Sequence, residues 1–561
     1  MALLSTLDLV VLVVTVLSIA GYGVWKTARG QTAKSYLKGE GLAWPTIGLS
    51  IMATQASAIT FLSVPGLAYE DGLRFVQFYF GLPLAMVVIC VVFVPIYYRL
   101  GVYTAYEYLE QRFDVRVRVF AALLFLIGRG LAAGISIYAP AIVLSAVLGW
   151  PLHLMNLLIG LVVIAYTVSG GAKAVSQTQK QQMVVILSGM FAAAVVMWMS
   201  LPVDVGLPEV ARLSGALGRV NIIDTSLDPN SRYTLWSGLT GGFFLALSYF
   251  GTDQSQVQRY LGGASLTESR LGLLFNGLLK IPMQMVILCI GLLVFSFYVF
   301  ERPPLLFNDA LQAQAMASDA SEQLETLDAT YGEAHAARRD AAVAFLGGDE
   351  GAREALTAAQ ADMDAARTDA KAVIHDTLPR AETKDADYIF IRFVLKKLPS
   401  GLVGLLVASI LMAAMSSTAS ELASLGSTSV VDGYQRLFRP EATDAQLVRA
   451  SRIMTVVFGL LAVAFATFAT QLDNLIEAVN ILGSLFYGVS LGLFLVAFFF
   501  KRVKGTAVLA AGLVSQVGVI ALFFTSDIGF LWFNFIGCAW VVLGSLGVQG
   551  LLSVLSSRNS T

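Results

Sequence analysis

Long apolar runs constrain this chain more than any other feature of its sequence. We count thirteen segments that are apolar and long enough to cross a bilayer core, which takes about 20 residues of helix. They are residues 5–25, 43–68, 75–98, 119–147, 151–169, 174–202, 233–256, 272–299, 399–428, 451–470, 476–499, 505–525 and 529–554. Because the runs are continuous rather than alternating, they predict helices and not a β-barrel. We therefore expect an all-α polytopic membrane protein.

Basic residues are concentrated in alternate loops between these segments. Cytoplasmic loops carry an excess of Lys and Arg, so these loops are predicted to face the cytoplasm. The residues are Lys26, Arg29, Lys34, Lys38, Arg99, Arg112, Arg116, Arg118, Arg259, Arg270, Arg436, Arg439, Arg449, Lys501, Arg502 and Lys504. The pattern places the N-terminus outside and the C-terminus inside a cell membrane, which we expect to be a bacterial inner membrane. Residues 5–25 follow no basic cluster and are interpreted as a retained span, not a signal peptide.

The rest of the composition argues against several classes of function. Only 13% of the 561 residues are charged and the formal net charge is −1, which gives no indication of nucleic-acid binding. The histidines, His153, His335 and His375, have no partner at metal-ligand spacing. The three cysteines lie in apolar spans, where packing is the expected role. No cofactor is expected.

Residues 301–387 depart from the apolar pattern. They carry 18 acidic and 8 basic side chains and are rich in alanine. Two helices are predicted, Asp309–Phe345 and Ala352–Asp376, with the turn at Gly347–Gly351. By the predicted orientation this hairpin faces outside, either as an insertion that packs on itself or as a lid or docking arm. Its apolar stripe is thin, so its independent stability is expected to be marginal.

Two of the apolar spans contain polar breaks. The first runs from Ile51 to Thr60, and the second runs from Ser248 to Gln254. Irregular backbone survives at that depth only where it lines a cavity or is buried in protein. Two breaks in corresponding spans of two halves indicate a secondary transporter with its site at the midplane.

The first break offers oxygen atoms to a cation. Backbone carbonyls freed around Ala53 and Ala56 are the kind of ligand that sodium prefers, while Gln55, Ser57 and Thr60 are expected to face the cavity. The alternative is a helix interface built from small residues. A second patch on residues 413–429 repeats hydroxyl and small side chains at helical spacing, which becomes the hydroxyl half of a sodium site if it lies opposite the break.

Charged side chains inside spans are costly and usually mark an ion or substrate path. Glu421 is interpreted as such an acid, against the alternative of a buried acid satisfied by neighbouring hydroxyls. Arg129 lies near mid-depth of its span and either clamps a carboxylate or forms a structural ion pair. Asp253 and Gln254 are predicted to tie a cytoplasmic gate. Asn480 adds a polar group to a later span, where interhelical hydrogen bonding is favoured over a role in binding.

These residues, together with several longer motifs, resemble the sodium/solute symporter family, and in particular its monocarboxylate–iodide–multivitamin branch and bacterial relatives. The supporting stretches are Ser50–Phe61, Tyr98–Leu100, Tyr106–Phe113, Tyr138–Pro140, Gly170–Val175, Gly251–Gln254, Gln258–Leu261 and Leu398–Leu402 leading into Ser416 and Ser417. The resemblance covers nearly the whole chain except residues 301–387.

The resemblance implies a leucine-transporter-type fold, a 5+5 inverted repeat within about 13 transmembrane helices. The implied parts are residues 1–42 as an extra span with a cytoplasmic loop, 43–202 and 233–499 as the two five-helix repeats, 203–232 as an external loop, 301–387 as an insertion in the second repeat, and 500–561 as two extra spans. It also implies a sodium site on the carbonyls of Ala53, Ala56 and Ala413 and the hydroxyls of Ser416 and Ser417. Tyr249 is implied as an aromatic gate.

The chain departs from the family pattern at Gln179, where most members have an aspartate that is implicated in binding a second sodium ion in some of them. We hypothesise that Glu421, on the facing helix, restores the missing charge, so that Gln179, Ser420 and Glu421 form a possible second ion or proton site.

The predicted function is sodium-driven symport of a small organic solute, a carboxylate or a sugar-like molecule, by alternating access. The solute cavity is predicted to be lined by Gln55, Ser57, Thr60, Gln77, Arg129, Tyr249 and Asn480. The alternatives are a proton-coupled carrier that uses Glu421 and a sensor without transport. A membrane enzyme ranks last, since no nucleophile and base pair stands out. The sequence leaves the solute and the oligomeric state open.

Overall fold

The computed structural model describes residues 4–27, 32–349, 351–379, 383, 385–468 and 475–558. Within these ranges the chain is helical, and the β-structure is confined to an isolated bridge between Leu42 and Gly263. The all-α prediction is therefore confirmed. Predictions that fell on Arg29, Glu350 and residues 469–470 lie outside the described residues.

Twenty-two α-helices are described along the chain. They are α1 (Thr6–Thr27), α2 (Ala33–Leu37), α3 (Trp44–Gln55), α4 (Ala58–Asp71), α5 (Leu82–Val88), α6 (Val94–Leu100), α7 (Tyr106–Arg112), α8 (Val115–Leu148), α9 (Leu152–Met199), α10 (Leu207–Ala216), α11 (Phe243–Gly251), α12 (Gln254–Leu261), α13 (Leu266–Phe300), α14 (Asp309–Met316), α15 (Ser321–Leu346), α16 (Ala352–Thr377), α17 (Ala386–Lys397), α18 (Leu402–Thr428), α19 (Asp444–Phe468), α20 (Leu475–Phe499), α21 (Gly505–Thr525) and α22 (Leu531–Arg558). A 3₁₀ segment at Gly72–Tyr79 and π-helical turns at Ile89–Phe93, Ser237–Gly242 and Ser429–Phe438 connect or extend them.

Many of these helices have the length and surface of membrane spans. Ten helical stretches among the described residues are long and apolar enough to cross a bilayer. Several keep large apolar side chains on their outer surface, such as Leu17, Phe191 and Val514, which are 64%, 72% and 73% exposed. Exposed apolar surface of this extent marks contact with a membrane or a partner. The predicted number of thirteen spans and the positions of the termini stay predictions.

Helix α9 shows why the number of spans and the number of helices differ. It runs for 48 residues through two predicted spans, 151–169 and 174–202, and bends at Gly171, whose φ of 59° and ψ of −162° are not helical. A side chain at Gly171 would place its Cβ 2.6 Å from the Tyr36 ring. The bend therefore requires glycine, both for its backbone conformation and for its close approach to α2.

The first predicted break is present. Helix α3 ends at Gln55 and α4 begins at Ala58, while Ala56 and Ser57 have ψ values of 77° and 173° that leave the helical region. Small and polar residues make this interruption tolerable, because the freed backbone groups find partners inside the protein.

The second predicted break is also present, between α11 and α12 at Thr252 and Asp253. Three tyrosine hydroxyls donate to consecutive carbonyls at its edge. Tyr260 bonds the carbonyl of Phe250 at 3.0 Å, and Tyr97 bonds that of Gly251 at 2.8 Å. Tyr106 bonds the carbonyl of Thr252 at 3.1 Å.

The segment 301–387 forms a docked helical hairpin. The predicted helix Asp309–Phe345 is wrong as a single element, since α14 ends at Met316 and α15 starts at Ser321 after a short turn. The predicted second helix and the glycine-rich turn correspond to α16 and its N-terminal connection. The buried cluster of the hairpin contains Leu305, Leu306, Leu311, Ala315, Leu324, Tyr331, Met363, Ala366, Ala370 and Ile374.

This hairpin packs on one end of the helical bundle. We call that end of the bundle the insertion face. Ala342 and Leu356 belong to the main core, and the Arg338 guanidinium donates to the carbonyl of Tyr298 at the end of α13. The 35-residue α13 is about 52 Å long and leads from the insertion face to the opposite face, which carries the loops around α7 and α12. The division into two five-helix repeats stays a prediction.

Candidate ion and solute site

Helix α18 lies against the first break and meets it with a buried serine. The Ser416 hydroxyl donates to the carbonyl of Ala53 at 2.9 Å, and Ser417 donates to the carbonyl of Ala413 at 3.1 Å. Ala56 is buried at the break itself. Four of the five predicted sodium ligands are thus linked by direct hydrogen bonds, within or between the two helices. These neutral carbonyl and hydroxyl oxygens are donors that fit a hard monovalent cation.

A neutral polar centre lies beside this contact, around Gln179 on α9. Its side-chain amide donates to Ser420 Oγ at 2.7 Å, to Thr54 Oγ1 at 3.0 Å and to the carbonyl of Ser416 at 3.0 Å. Its carbonyl oxygen accepts from the Ser50 hydroxyl. All of these side chains are buried, so the Gln179 centre holds α3, α9 and α18 together.

A charged centre lies on the other side of α18, around Arg129 on α8. Its Nε donates to Asp253 Oδ2 at 3.1 Å and its Nη1 to Glu421 Oε1 at 3.1 Å, while Nη2 contacts both Asp253 and the Tyr487 hydroxyl. The ring of Tyr249 lies 5.1 Å from the guanidinium carbon. Of the two roles considered for Arg129, the structure contains the ion pair.

The hypothesis that Glu421 restores the charge missing at Gln179 is not supported by this geometry. Consecutive residues of a helix point about 100° apart. Ser420 therefore faces α9 and bonds Gln179, whereas Glu421 faces α8 and pairs with Arg129. Gln179 and Ser420 are brought together as predicted, and Glu421 belongs to the charged centre instead.

Asp253 and Gln254 lie at the second break. Asp253 Oδ1 caps α12 by accepting from the backbone and side chain of Ser255 at 2.8 and 2.6 Å. The amide of Gln254 bonds the backbone of Ala105 at 3.1 Å and of Tyr103 at 2.9 Å. The pair therefore ties the second break to the loop before α7, a placement that suits the predicted gate; the gating role itself stays a prediction.

The other predicted solute residues divide into two groups. Gln55, Ser57, Thr60 and Tyr249 are buried or half-buried at or near the two breaks, and Asn480 is half-buried on α20. Gln55 Oε1 is buried without a hydrogen bond, and a buried polar atom of this kind is available to a ligand.

Gln77 does not share this placement. It is fully buried in the 3₁₀ segment, donates to the carbonyl of Tyr233 at 3.1 Å and accepts from the backbone of Asp224 at 3.0 Å. Both ends of its amide are therefore engaged by the loop before α11. A role in solute binding would require these bonds to be exchanged.

A polar strip on α13 was not predicted from the sequence. Asn276, Lys280 and Gln284 follow one another at intervals of four residues, and all three are fully buried. None of their five side-chain nitrogen and oxygen atoms has a hydrogen-bond partner, and Lys280 Nζ lies 5.4 Å from the centre of the Tyr79 ring. The signal was present in the sequence, since a lysine in the middle of a predicted span is as unusual as Arg129.

Comparisons with known proteins agree on one family. The model of the sodium:solute symporter family matches residues 35–320 and 367–515. The human sodium/iodide cotransporter is 38% identical over 292 residues, which cover 51% of this chain and 45% of that protein. The chain thus spans about half the length of that relative.

A second relative covers more of both chains. The sodium/sialic acid symporter NanT of Aliivibrio fischeri is 26% identical over 552 residues, which cover 96% of this chain and 92% of that protein. A solved structure of a Na⁺-coupled sialic acid symporter, substrate-bound and outward-open, matches 98% of each chain with a TM-score of 0.75 and 23% identity. This likeness shows that the two chains share a fold.

Proposed function

Because the chain belongs to the sodium:solute symporter family, we propose that it is a secondary transporter that carries a small organic solute together with sodium. The solute is a carboxylate or a sugar-like molecule. The observation that carries the proposal is the buried contact between Ser416 on α18 and the Ala53 carbonyl at the first break. It places hydroxyl and carbonyl oxygens together where the backbone is irregular, as a sodium site in a transporter requires.

Sodium would be held by Ala53, Ala56, Ala413, Ser416 and Ser417 and would tie α3 to α18. Gln55 and Ser57 are on or next to the same break, so an ion that orders the break also orders the neighbouring solute contacts. By linkage, each ligand then tightens the binding of the other to the same degree. The sodium gradient and the membrane potential supply the drive, the latter about 2.3 kcal/mol per charge per 100 mV.

The buried strip on α13 supports a solute that offers an acidic group, hydroxyls or both. In the described part of the chain, Lys280 has no counter-charge within hydrogen-bonding distance, and the amides of Asn276 and Gln284 have unused donors and acceptors. Arg129 is less suited to bind the solute, because Asp253 and Glu421 already use its charge.

The Gln179 centre supports transport with a single sodium ion. Its amide presents hydrogens to Ser420 and Thr54, and these donors repel a cation that approaches the same hydroxyls. The centre is also neutral, so it lacks the carboxylate that would compensate a second ion.

Alternating access would use the two ends of the bundle differently. The basic loops on the opposite face are proposed to lie in the cytoplasm of a bacterial cell, with Asp253 and Gln254 at the inner gate and the insertion face outside. Tyr249, stacked on Tyr487 at a centroid distance of 5.7 Å, would close the path between the solute and that gate.

Uptake into proteoliposomes under an inward sodium gradient tests the proposal. A thermal-shift screen of carboxylates, sugars and amino acids, with and without sodium, first identifies the solute. Ser416→Ala combined with Ser417→Ala should abolish sodium-stimulated uptake and leave a folded protein.

Ser409→Ala is the matched control, since Ser409 is a buried serine of the same helix that bonds the carbonyls of Leu405 and Val185, away from the break. It should keep the sodium response. A double variant that keeps this response would refute the assigned site. Replacement of sodium by choline at fixed pH tests the alternative of a proton-coupled carrier that uses Glu421.

A further inference from the structure

We propose that the hairpin forms, with α4 and the loop after α10, a binding site for a small oxyanion such as a carboxylate, sulfate or phosphate. The site is a cavity of about 250 Å³ between the hairpin and the bundle. Arg338 on α15, Arg367 and Lys371 on α16, and Arg219 after α10 line it. Residues 321–366, which include Arg338, lie outside the segments that match the family model, whereas Arg219, Arg367 and Lys371 lie inside them.

The distribution of charge in the hairpin is the first argument. Residues 301–387 have 18 acidic and only 8 basic side chains, yet three of those eight converge on this cavity. In a strongly acidic segment, cationic side chains would lower the electrostatic energy most by pairing with surface carboxylates. Arg367 and Lys371 do pair with Asp385, but Arg338 faces the same cavity and its hydrogen bonds go to neutral groups, which indicates a negative ligand there.

The missing counter-charge of Arg338 is the second argument. Arg338 is 1% exposed, and its hydrogen-bond partners are neutral: Gln360 Oε1 at 2.7 Å and the carbonyl of Tyr298 at 2.6 Å. Among the described residues no carboxylate lies within 4.0 Å of its guanidinium nitrogens, and its Nε has no partner. A buried charge is costly unless it is paired, so the fold leaves a position for an anion beside it.

The neighbouring side chains complete a cationic lining. Among the described residues, the Arg219 guanidinium bonds only the backbone carbonyl of Glu70, and its Nε is also without a partner; it packs on the Phe295 ring. Burial lowers the pKa of Arg338 and of Arg219, which agrees with incomplete compensation of their charges. Arg367 and Lys371 share Asp385 at 2.6 and 2.9 Å.

The carboxylates near the cavity do not fill this role. Glu70 lies 3.9 Å from Arg367, and Asp364 accepts from the Gln360 amide at 2.9 Å. The guanidinium groups present planar, forked donors that match an oxyanion with two or more oxygens better than a halide. The tyrosines Tyr69 and Tyr331 bring two further hydroxyls to the wall.

The test measures thermal unfolding of the purified full chain in detergent while sulfate, phosphate or acetate is titrated at constant sodium and ionic strength, with chloride as the reference. We expect a saturable rise in Tm, because a ligand of the folded state stabilises it by mass action. Acetate separates an organic carboxylate from inorganic oxyanions as the natural occupant. A rise that is linear in concentration and equal in all variants would be a general salt effect and would overturn the proposal.

Two substitutions act in opposite directions. Arg338→Gln should weaken the apparent anion affinity by at least about tenfold, as expected for loss of a charged hydrogen-bond donor. Gln360→Glu would put a carboxylate against Arg338 and so supply the counter-charge from within. It should raise Tm without anion and remove the anion response, which gives a result even if Arg338→Gln folds poorly.

Arg339→Gln is the matched control, because Arg339 is the next residue on α15, is exposed and pairs only with Asp340. It should titrate like the unmodified chain, and so should the Ser416→Ala and Ser417→Ala variant, which separates this site from the proposed transport function. The proposal fails if the unmodified chain shows no saturable response, or if Arg338→Gln and Gln360→Glu respond as it does.

Discussion

Arg129 and Arg338 are both buried guanidinium groups, 5% and 1% exposed, but their charges are balanced differently. Arg129 has two carboxylates, Asp253 and Glu421, within hydrogen-bonding distance. Arg338 has a glutamine and a backbone carbonyl. The first arginine is therefore part of an ion-pair network in the bundle, while the second, in the hairpin, has no carboxylate to balance its charge among the described residues.

The difference in partners assigns different roles to the two arginines: Arg129 has a structural role, and Arg338 has a role in the proposed anion site. Removal of one member of a buried ion-pair network strongly destabilises the protein, because the remaining members stay buried and charged. A buried cation without a counter-charge lowers the stability of the folded protein. The same cation contributes to the affinity for an anion that binds beside it. Burial alone cannot distinguish the two; the partners must be counted.

The largest expected effect comes from Arg129→Met. It leaves Asp253 and Glu421 buried without a cation and should cost about 3–5 kcal/mol of stability. Arg338→Met removes a cation that has no carboxylate partner, so we expect a much smaller loss in a buffer without oxyanions. Tm values of the two variants in detergent make the measurement. Equal decreases in Tm would contradict the difference in charge compensation between Arg129 and Arg338.

Substitution in the neutral Gln179 centre should destabilise the protein less than substitution in the charged Arg129 centre. Gln179→Leu removes the partner of Ser50, Thr54, Ser420 and the Ser416 carbonyl and should cost about 1–3 kcal/mol. Gln182, one turn further along α9, is also fully buried but has no hydrogen bond at either end of its amide.

Gln182→Leu is therefore the control for Gln179→Leu and should be neutral or stabilising, because it buries an apolar group in place of an unsatisfied amide. Both are measured by thermal unfolding. If Gln182→Leu were the more damaging of the two, the assigned network around Gln179 would be wrong.

The smallest expected effect is a pH dependence at the hairpin. Burial, together with the nearby charges of Arg338 and Arg302, lowers the pKa of His335 to about 4. An unfolded histidine titrates near 6.5, so the unfolded chain takes up the proton first as the pH falls. Stability that is complete above about pH 6.5 is therefore lost progressively towards pH 4.

His335→Gln should reduce the fall in Tm between pH 7.5 and pH 5, whereas the same change at the exposed His375 should not. A parallel fall in all three proteins would show that His335 does not cause it. Repeating the scan with saturating sulfate links this residue to Arg338, because a bound anion would favour the protonated imidazole and flatten the profile.

Much of the local structure could be predicted from the sequence. The two breaks were located because small and polar residues interrupt long apolar runs, and that cause acts within a few residues. The hydroxyl face of α18 was located for a similar reason, since helical spacing fixes which of its side chains share a side. The contact between Ser416 and Ala53 then required only that this face meet the break.

The errors concern which neighbour a side chain meets. Glu421 was assigned to Gln179 because it was expected on the facing helix, but one residue along a helix changes the facing neighbour from α9 to α8. The solute role of Gln77 stays a prediction, but the engagement of its amide by the loop before α11 was not foreseen. These are tertiary contacts, and no local pattern specifies them.

The insertion shows a further limit. Its apolar stripe is thin by itself, and the structure adds contacts with α13 and the main core that the sequence of the hairpin does not reveal. The break between α14 and α15 was also missed, because Ala317–Ala320 contains no proline or glycine to mark it.

The three phenols at the second break have a consequence for leakage. Buried backbone carbonyls without a hydrogen-bond partner bind water. A chain of water molecules through a transporter would allow ions to cross without the solute. Tyr97, Tyr106 and Tyr260 cover three successive oxygens from three different helices. We therefore expect the second break to exclude water. Under the proposed function, this would limit leakage of the coupling ion and so preserve the ion gradient between transport cycles.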